Sequence, residues 1–359
     1  MTSTAALGIA TALAGESTGM GRFVLAPAEV DQVRSLLDDI VLRFPSAESP
    51  EFLREATVCA QELPRRLRLF LNDFRLLEPE PGCCLVSGWP VDDHKIGDTP
   101  RHWKHRVQPT PTFPEEAFLV LVGSLLGEPI AWATQQAGFL IHDIFPILGN
   151  EKEQLGTGSE ETLTWHTEDA FHPCSADFLA LLCLRNHDGI ATTWGNLDAA
   201  QLSPGHREIL FQPRYTIRPD ESHLQKNSAC PVTDAKLGAA YSQIQQMDSA
   251  PAKIAVLFGS RDRPYLRIDP YFMDPLADDP EAQAALDAVI AVIDSRMDEL
   301  VGRPGDIFVI DNFRVVHGRN PFKARYDGRD RWLKRLNIAR DLRKSRELRM
   351  GAESRAFRG

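Results

Sequence analysis

Apolar residues recur at helical spacing in the first part of the chain. One run begins at Pro27 and ends before Phe44, with its apolar positions on a single side of the predicted helix: Val30, Val33, Leu36, Leu37, Ile40 and Val41. A second run extends from about residue 51 to residue 77, and we expect Pro64 to kink or divide it. Charge lies on one side of each run, so both helices should pack against the rest of the fold.

Short strand-like segments dominate after residue 82. They are bounded by Gly, Pro and polar turns, at about residues 82–90, 130–136, 139–146, 177–185, 191–194, 214–218, 254–258, 265–269, 306–317 and 331–340. Helical periodicity returns only at about 114–126 and 280–301. The pattern is not a βαβ repeat. It predicts a mainly β protein with packed helices (α+β), as a two-sheet jelly roll or related barrel that holds a ligand between its sheets.

No change in composition marks a boundary within the 359 residues. We therefore predict a flexible arm over residues 1–24 and a single domain over 25–359. Within that domain, a helical part should occupy about 25–80 and a jelly-roll core about 82–342, with a helical insertion at about 280–302. The polar segment Gly149–Glu161 is a candidate lid, because it leads directly into the segment with the strongest chemical signal.

The net charge of −10 disfavours nucleic acid or an anionic membrane surface as a partner. It is compatible with a cationic small molecule. The N-terminal stretch has no basic residue ahead of its mildly apolar part, and it is too short and polar to span a bilayer. The cysteines include no Cys-x-x-Cys pair, so we expect free thiols and a cytoplasmic location: Cys59, Cys83, Cys84, Cys174, Cys183 and Cys230.

The chemical signal is strongest at Trp165–Phe171. In an extended segment, residues two apart point to the same side, so His166 and Glu168 can bind one ion together. About 150 residues later, a strand, a turn and a second strand present His317. Two histidines and one carboxylate leave adjacent open positions on an octahedral metal, as in the facial triad of non-haem Fe(II) oxygenases.

Two other metal sites fit the sequence less well. A zinc deaminase needs a second cysteine three residues after the first, but Asp177 stands three residues after Cys174. A His-Glu-x-x-His protease motif does not occur in the sequence. The basic run Arg325–Arg335 further favours the oxygenase hypothesis, because a dicarboxylate co-substrate needs a planar and permanently charged partner.

Five motifs in this order resemble the clavaminate-synthase-like Fe(II)/2-oxoglutarate oxygenases, and among them the arginine 3-hydroxylases of tuberactinomycin (viomycin and capreomycin) biosynthesis. The motifs are His166–Phe171, Leu184–Thr193, Arg218–His223, Ile310–Arg319 and Arg325–Arg335. The resemblance covers nearly the whole chain. It implies a double-stranded β-helix core, with Fe(II), 2-oxoglutarate and O2 as cofactor and co-substrates, and a role in antibiotic biosynthesis.

The resemblance also implies roles for individual residues. His166, Glu168 and His317 would be the metal ligands. Arg331, fourteen residues after His317, would pair with the distal carboxylate of 2-oxoglutarate, assisted by the hydroxyl of Thr193.

For the amino-acid substrate, Arg335 would hold the α-carboxylate and Gln135 the amino group. Acidic residues clamp the guanidinium in the arginine-hydroxylating relatives. This chain keeps Asp220, with Ser222 beside it, and Asp269.

The chain departs from its relatives at Tyr271, which stands where a second acid is expected after Asp269. A tyrosine can stack on a guanidinium or hydrogen-bond to it but adds no charge. The resemblance implies hydroxylation of a free basic amino acid, L-arginine at Cβ first. The alternatives are hydroxylation at Cγ of arginine and hydroxylation of another amino acid, which could be citrulline, lysine or a cyclic guanidine amino acid such as enduracididine. A second oxidation on the same iron is a further alternative. A non-catalytic jelly roll that binds an amino acid is the alternative outside enzymes.

Overall fold

The structure, a computed structural model, describes residues 19–227 and 235–358. The helices are α1 (Pro27–Arg43), α2 (Pro50–Cys59), α3 (Arg65–Leu77), α4 (Phe113–Ser124), α5 (Pro204–Leu210), α6 (Ala235–Ser249) and α7 (Pro280–Asp294). The strands are β1 (Gly21–Val24), β2 (Cys83–Ser87), β3 (Glu128–Trp132), β4 (Ile141–Ile144), β5 (Leu163–His166), β6 (Phe178–Arg185), β7 (Thr192–Asn196), β8 (Leu257–Gly259), β9 (Pro264–Leu266), β10 (Asp298–Leu300), β11 (Ile307–Asp311), β12 (Val315–Arg319), β13 (Trp332–Ala339) and β14 (Ala356–Phe357).

The strands form two principal sheets. The major sheet has the order β1-β2-β11-β6-β13-β3-β14, and β4 also pairs with β13. The minor sheet has the order β10-β7-β12-β5, and β8 and β9 form a separate hairpin. Alternate residues of β6 point to opposite sides. Ala180 and Leu182 pack in one core cluster with the N-terminal helices, whereas Leu179 and Leu181 pack in another with Trp194 of the minor sheet.

Prolines and caps define the N-terminal helices. Pro27 occupies the first turn of α1, where a missing N–H costs no hydrogen bond, and Glu29 accepts a hydrogen bond from the Ala26 N–H at 2.8 Å. The second helical run is divided as we predicted, because Pro64 immediately precedes α3 and a short 3-10 turn follows α2. These helices cover the outer side of the major sheet.

A buried ion network joins α4 to that sheet. Lys334 on β13 has Nζ 2.8 Å from Glu116 Oε1 and 2.6 Å from Asp143 Oδ1. Trp332 donates its Nε1–H to Asp143 at 2.7 Å, and Arg106 donates to the other oxygen of Glu116 at 2.8 Å. Each charge in the network therefore has a partner of opposite sign, which is the condition for keeping ions in a core.

Four expectations from the pattern differ from the structure. Helices are not confined to the first third and one insertion, because α5 and α6 lie between β7 and β8. The insertion helix ends at Asp294, and Leu300 instead belongs to β10. Residues 214–218 form only isolated bridges. Residues 21–24, expected in the flexible arm, form β1 and pair with β2; residues 1–18 of that arm lie outside the described residues.

The cysteines at positions 59, 83, 84, 174 and 183 are free thiols. Burial raises the pKa of the Cys84 thiol, so it stays protonated. Cys230, also expected to be a free thiol, lies outside the described residues. Across the described part of the chain, no helix is long and apolar enough to cross a membrane.

The network around Lys334 generates a prediction about stability. Replacing Lys334 by Met should lower the free energy of unfolding by about 3–5 kcal/mol, since Glu116 and Asp143 would keep buried charges with one cation fewer. Denaturant unfolding followed by circular dichroism measures the change. Lys323→Met, at an exposed position, is the control and should leave the transition unchanged. A Lys334→Met protein as stable as the parent would contradict the importance of this network.

Candidate metal and co-substrate site

Strand pairing brings the two candidate histidines together. His317 of β12 lies directly opposite His166 of β5 in the minor sheet, and their ring centroids are 4.8 Å apart. Glu168 follows β5, and its Oε2 lies 3.8 Å from His166 Nε2 and 3.5 Å from His317 Nε2. One ligand atom from each residue thus lies within 4.8 Å of the others, close enough to share one ion.

The donor atoms fit a ferrous ion. The Nδ1–H of His166 donates to the Thr164 carbonyl at 2.8 Å, which leaves the Nε2 lone pair facing Glu168. Glu168 Oε2 is buried and lacks a hydrogen-bond partner within residues 19–227 and 235–358. A bound cation would compensate this buried oxygen. Two imidazoles and one carboxylate form a ligand set typical of non-haem Fe(II), with open positions for co-substrates.

Asn312 fixes the backbone that carries Glu168. Its Oδ1 accepts a hydrogen bond from the Glu168 N–H at 2.7 Å, and its Nδ2 donates to the Glu168 carbonyl at 3.0 Å. The same Nδ2 donates to the carbonyl of Ala176 at 2.9 Å. The sequence indicated only a turn here. An Asp-Asn pair between two strands is the usual composition of a turn, so it does not reveal a long-range contact.

Arg335 adjoins the metal ligands from β13. Its guanidinium forms an ion pair with Glu168 Oε1, and its Nη2 donates to His142 Nδ1 at 2.9 Å. Burial alone would raise the pKa of Glu168, but Arg335 and the two imidazoles hold that pKa well below its ordinary value. Glu168 is therefore an anion, as a metal ligand must be.

Arg331 lies at the other side of the site, just before β13. It is buried, and burial lowers its pKa to about 10. Its Nη2 donates to Thr192 Oγ1 at 2.8 Å. The hydroxyl beside Arg331 is therefore that of Thr192 and not that of Thr193, the residue that we predicted. Thr193 pairs with Gly318 across β7 and β12, on the side away from His317, whereas Thr192 lies on the side of His317.

Gln135 and a loop after residue 218 line the same cavity. Gln135 Nε2 donates to Ser222 Oγ at 2.5 Å, whereas its buried Oε1 lacks a partner in the described part of the chain. The Ser222 N–H donates to Asp220 Oδ1 at 2.8 Å. His223 anchors this loop, because its Nε2 lies 3.0 Å from Oδ1 of Asp169.

The cluster of Asp169, Asp220 and His223 is a second group of potential metal ligands. The side chains of all three residues already form hydrogen bonds within the protein. Asp169 Oδ2 accepts from Trp132 Nε1 at 2.6 Å, and Thr134 Oγ1 lies 2.9 Å from His223 Nδ1. We therefore assign this cluster a structural role beside the metal ligands.

Asp269 and Tyr271 also line the cavity. Asp269 is buried, and burial together with Asp220 raises its pKa to about 6. Tyr271 is 57% exposed. The cavity has a volume of about 360 Å³, within the range of small-molecule sites, and contains every predicted site residue except Thr193.

The segment 149–161 closes one side of this cavity. Gln154 holds its end by bonding to the Thr162 carbonyl at 2.8 Å and the Thr164 N–H at 3.0 Å. Arg319 on β12 donates to the carbonyls of Ser159 and Glu161 at 3.0 and 3.3 Å. The lid candidate is thus attached to the strand that carries His317.

Comparison with known proteins identifies the family. Residues 107–337 match the family of the taurine catabolism dioxygenase TauD and TfdA. The chain belongs to this TauD/TfdA dioxygenase family. The matched residues include the three candidate ligands and Arg331. Membership of this family shows that the chain is a dioxygenase.

Individual proteins resemble this chain over almost its whole length. The chain is 47% identical to an enduracididine beta-hydroxylase of Streptomyces hygroscopicus, over 92% of this chain and 97% of the relative. It is 41% identical to an L-ornithine/L-arginine 3-hydroxylase of Catenulispora acidiphila, over 94% of this chain and all of the relative.

A solved structure of the non-haem iron oxygenase OrfP, in complex with Fe, succinate and (3S)-hydroxy-L-Arg, has a TM-score of 0.91 and 46% identity. The match covers 94% of this chain and all of OrfP. This likeness confirms the predicted α+β jelly-roll fold and also the resemblance to the Fe(II)/2-oxoglutarate oxygenases.

The hydrogen bonds of Asn312 generate a prediction about metal binding. Asn312→Leu should weaken Fe(II) binding about 10- to 100-fold, because the backbone of Glu168 would lose two hydrogen bonds to one side-chain amide, and the carbonyl of Ala176 would lose a third. Anaerobic Fe(II) titration measures the affinity. Asn72→Ala, which removes only a bond to Arg75 on α3, is the control. Unchanged iron affinity in a folded Asn312→Leu protein would rule out this positioning role.

Proposed function

We propose that the chain is an Fe(II)- and 2-oxoglutarate-dependent hydroxylase of a free amino acid with a guanidine group, first L-arginine at Cβ. The observation that carries the proposal is one cavity that contains the triad, a buried arginine with a hydroxyl partner, and a pair of carboxylates. His166, Glu168 and His317 would hold the iron. When bound, iron and 2-oxoglutarate supply the oxidising chemistry, in which O2, 2-oxoglutarate and a C–H bond give succinate, CO2 and C–OH.

The remaining residues bind and orient the two organic molecules. Arg331 and Thr192 offer a charged and a neutral donor to the distal carboxylate of 2-oxoglutarate. Arg335 is suited to the α-carboxylate of the amino acid. The partnerless Oε1 of Gln135 is suited to accept a hydrogen bond from its ammonium group. These contacts would fix the substrate carbon near the iron, which is the protein's contribution to such a reaction.

The side chain of the substrate would extend toward Asp269 and Asp220. Both carboxylates line the cavity. Asp269 accepts hydrogen bonds from the backbone N–H groups of Tyr271 and Phe272, and among the described residues no arginine or lysine forms an ion pair with it. A buried carboxylate without a cation is costly, and a guanidinium that reaches it would remove the cost through charge-assisted hydrogen bonds. Two acids favour a cationic substrate over asparagine or another neutral amino acid.

Enduracididine, whose guanidine is cyclic, is the second candidate. The 47% identity to an enduracididine beta-hydroxylase favours it. So does Tyr271, since an aromatic ring in place of a second acid suits a compact guanidine ring with fewer N–H groups to bind. Competition between L-arginine and L-enduracididine for turnover would rank the two substrates. Product mass and NMR would identify the oxidised carbon and the number of hydroxyl groups added.

The first test of the proposal is coupled turnover. With Fe(II), 2-oxoglutarate and O2, L-arginine should give a product heavier by one oxygen and an equal amount of succinate. His166→Ala should abolish both, because the iron would lose one of its three protein ligands. His206→Ala, at a partly exposed position of α5 outside the cavity lining, should retain full activity.

Survival of coupled turnover in His166→Ala would refute the assignment of the triad. If the parent enzyme binds L-arginine without oxidising it under any of these conditions, L-arginine is not its substrate and L-enduracididine becomes the first candidate.

The raised pKa of Asp269 predicts how substrate affinity depends on pH. Because that pKa is about 6 in the free protein, the carboxyl group is ionised above pH 6 and becomes neutral below it. The affinity for L-arginine should therefore be full at pH 7.5 and fall as the pH decreases through 6. Asp269→Asn should bind about 10- to 100-fold more weakly at pH 7.5, since a charged hydrogen bond contributes about 1.5–3 kcal/mol.

Anaerobic substrate titration at several pH values measures this dependence. Asp269→Asn should lose the part of the dependence that centres on pH 6. L-Norleucine, which has no charged side chain, is the matched control ligand, and its binding should not share that dependence. An identical pH profile for L-arginine and L-norleucine would exclude Asp269 as the partner of the guanidinium.

A further inference from the structure

Two adjacent cations on β13 have cross-strand partners of different kinds. In the antiparallel pairing of β13 with β4, Lys334 lies opposite Asp143 and Arg335 lies opposite His142. Successive strand residues face opposite sides, so Lys334 and Asp143 meet in the core while Arg335 and His142 face the cavity. The cation in the core has a carboxylate as its partner, and the cation in the cavity has an imidazole.

The imidazole of His142 is neutral. Arg335 Nη2 is 2.9 Å from His142 Nδ1, and arginine has only donors, so Nδ1 must be the acceptor and carry no proton. Burial and the adjacent Arg335 lower the pKa of His142 to about 3, in agreement with this geometry. The side chain is also 97% buried, so water does not compete for the hydrogen bond.

A neutral acceptor differs from a carboxylate in its effect on Arg335. A carboxylate at position 142 would orient the guanidinium equally well, but it would also neutralise the charge and repel an incoming anion. Glu168 already contacts Arg335, and its own charge is needed by the metal. The orienting contact from the side of β4 should therefore carry no charge if Arg335 is to attract a second carboxylate.

We propose that His142 is a positioning residue for substrate recognition, which orients the Arg335 guanidinium while leaving its positive charge available to the α-carboxylate of the amino acid. The inference rests on the proposed function, in which Arg335 binds that carboxylate. It adds a residue that would act through Arg335.

Three variants of His142 test the inference. His142→Gln retains a neutral acceptor, His142→Phe retains an aromatic ring without an acceptor, and His142→Asp introduces a carboxylate. Under anaerobic conditions, the visible absorption of the protein with Fe(II) and 2-oxoglutarate reports co-substrate binding, and its change on titration reports the affinity for L-arginine.

We expect His142→Gln to bind L-arginine within about threefold of the parent. His142→Phe should bind about tenfold more weakly, as expected for the loss of a typical hydrogen bond. His142→Asp should bind more weakly still. The affinity for 2-oxoglutarate should stay the same in all three, because Arg331 and not Arg335 is suited to its distal carboxylate.

Agmatine, which is arginine without its carboxylate, separates positioning from general damage. Its affinity should not change among the folded variants, since it has no group for Arg335 to bind. His172→Gln is the matched control. His172 is also buried, with Nδ1 accepting from the Cys174 N–H at 2.9 Å, but it lies outside the cavity lining. This substitution should lower the melting temperature without changing the affinity for L-arginine.

Two results would overturn the inference alone. In the first, the parent protein binds and oxidises L-arginine, and His142→Phe and His142→Asp bind L-arginine with the same affinity as the parent. The other is an equal loss of affinity for L-arginine and agmatine. If His142→Asp does not fold, the difference between His142→Gln and His142→Phe still decides the outcome. If L-arginine does not change the visible absorption of the parent protein at all, the proposed function is wrong, and the role of His142 with it.

Discussion

The antiparallel pairing of β12 with its two neighbours is the constraint on which the site depends. Pairing with β5 sets His317 opposite His166, and pairing with β7 puts Thr192 on the side of His317 while Thr193 faces away. A shift of one residue would turn every one of these side chains to the other side of the sheet. Gly318 helps to hold this register. A Cβ atom there would lie 2.4 Å from the Leu163 carbonyl oxygen, so only glycine allows the approach.

β13 combines support and binding in one strand. Its core-facing residues Trp332 and Lys334 belong to the ion network under the sheet, and its cavity-facing residue Arg335 belongs to the site. The side chains on the two faces are coupled through β4, whose residues 142 and 143 each hold one of the two cations. The rigidity of the buried network therefore extends to the guanidinium that adjoins the metal ligands.

Local signals in the sequence predicted much of this arrangement. Proline positions and helical periodicity predicted α1 and the division between α2 and α3, and a continuous apolar run predicted β6. Contacts that depend on register were harder to predict. The family pattern indicated a threonine near Arg331, but two adjacent threonines differ only in the side of the strand that they face. Asn312 and His142 were missed, since each acts on a residue more than one hundred positions away along the chain. The α6 helix was missed because its sequence has weak apolar periodicity and many small or polar residues.

The hydrogen bond between His223 and Asp169 has a consequence for how specificity evolves in this scaffold. It connects the loop bearing Asp220 and Ser222 to the residue next to Glu168, so that loop cannot be remodelled without disturbing the centre that performs the oxidation. Tyr271 is under no such restriction, because its side chain is largely exposed. New amino-acid preferences should therefore arise by exchange at position 271 and its surroundings, while the acids that line the cavity persist as an inherited requirement for positive charge.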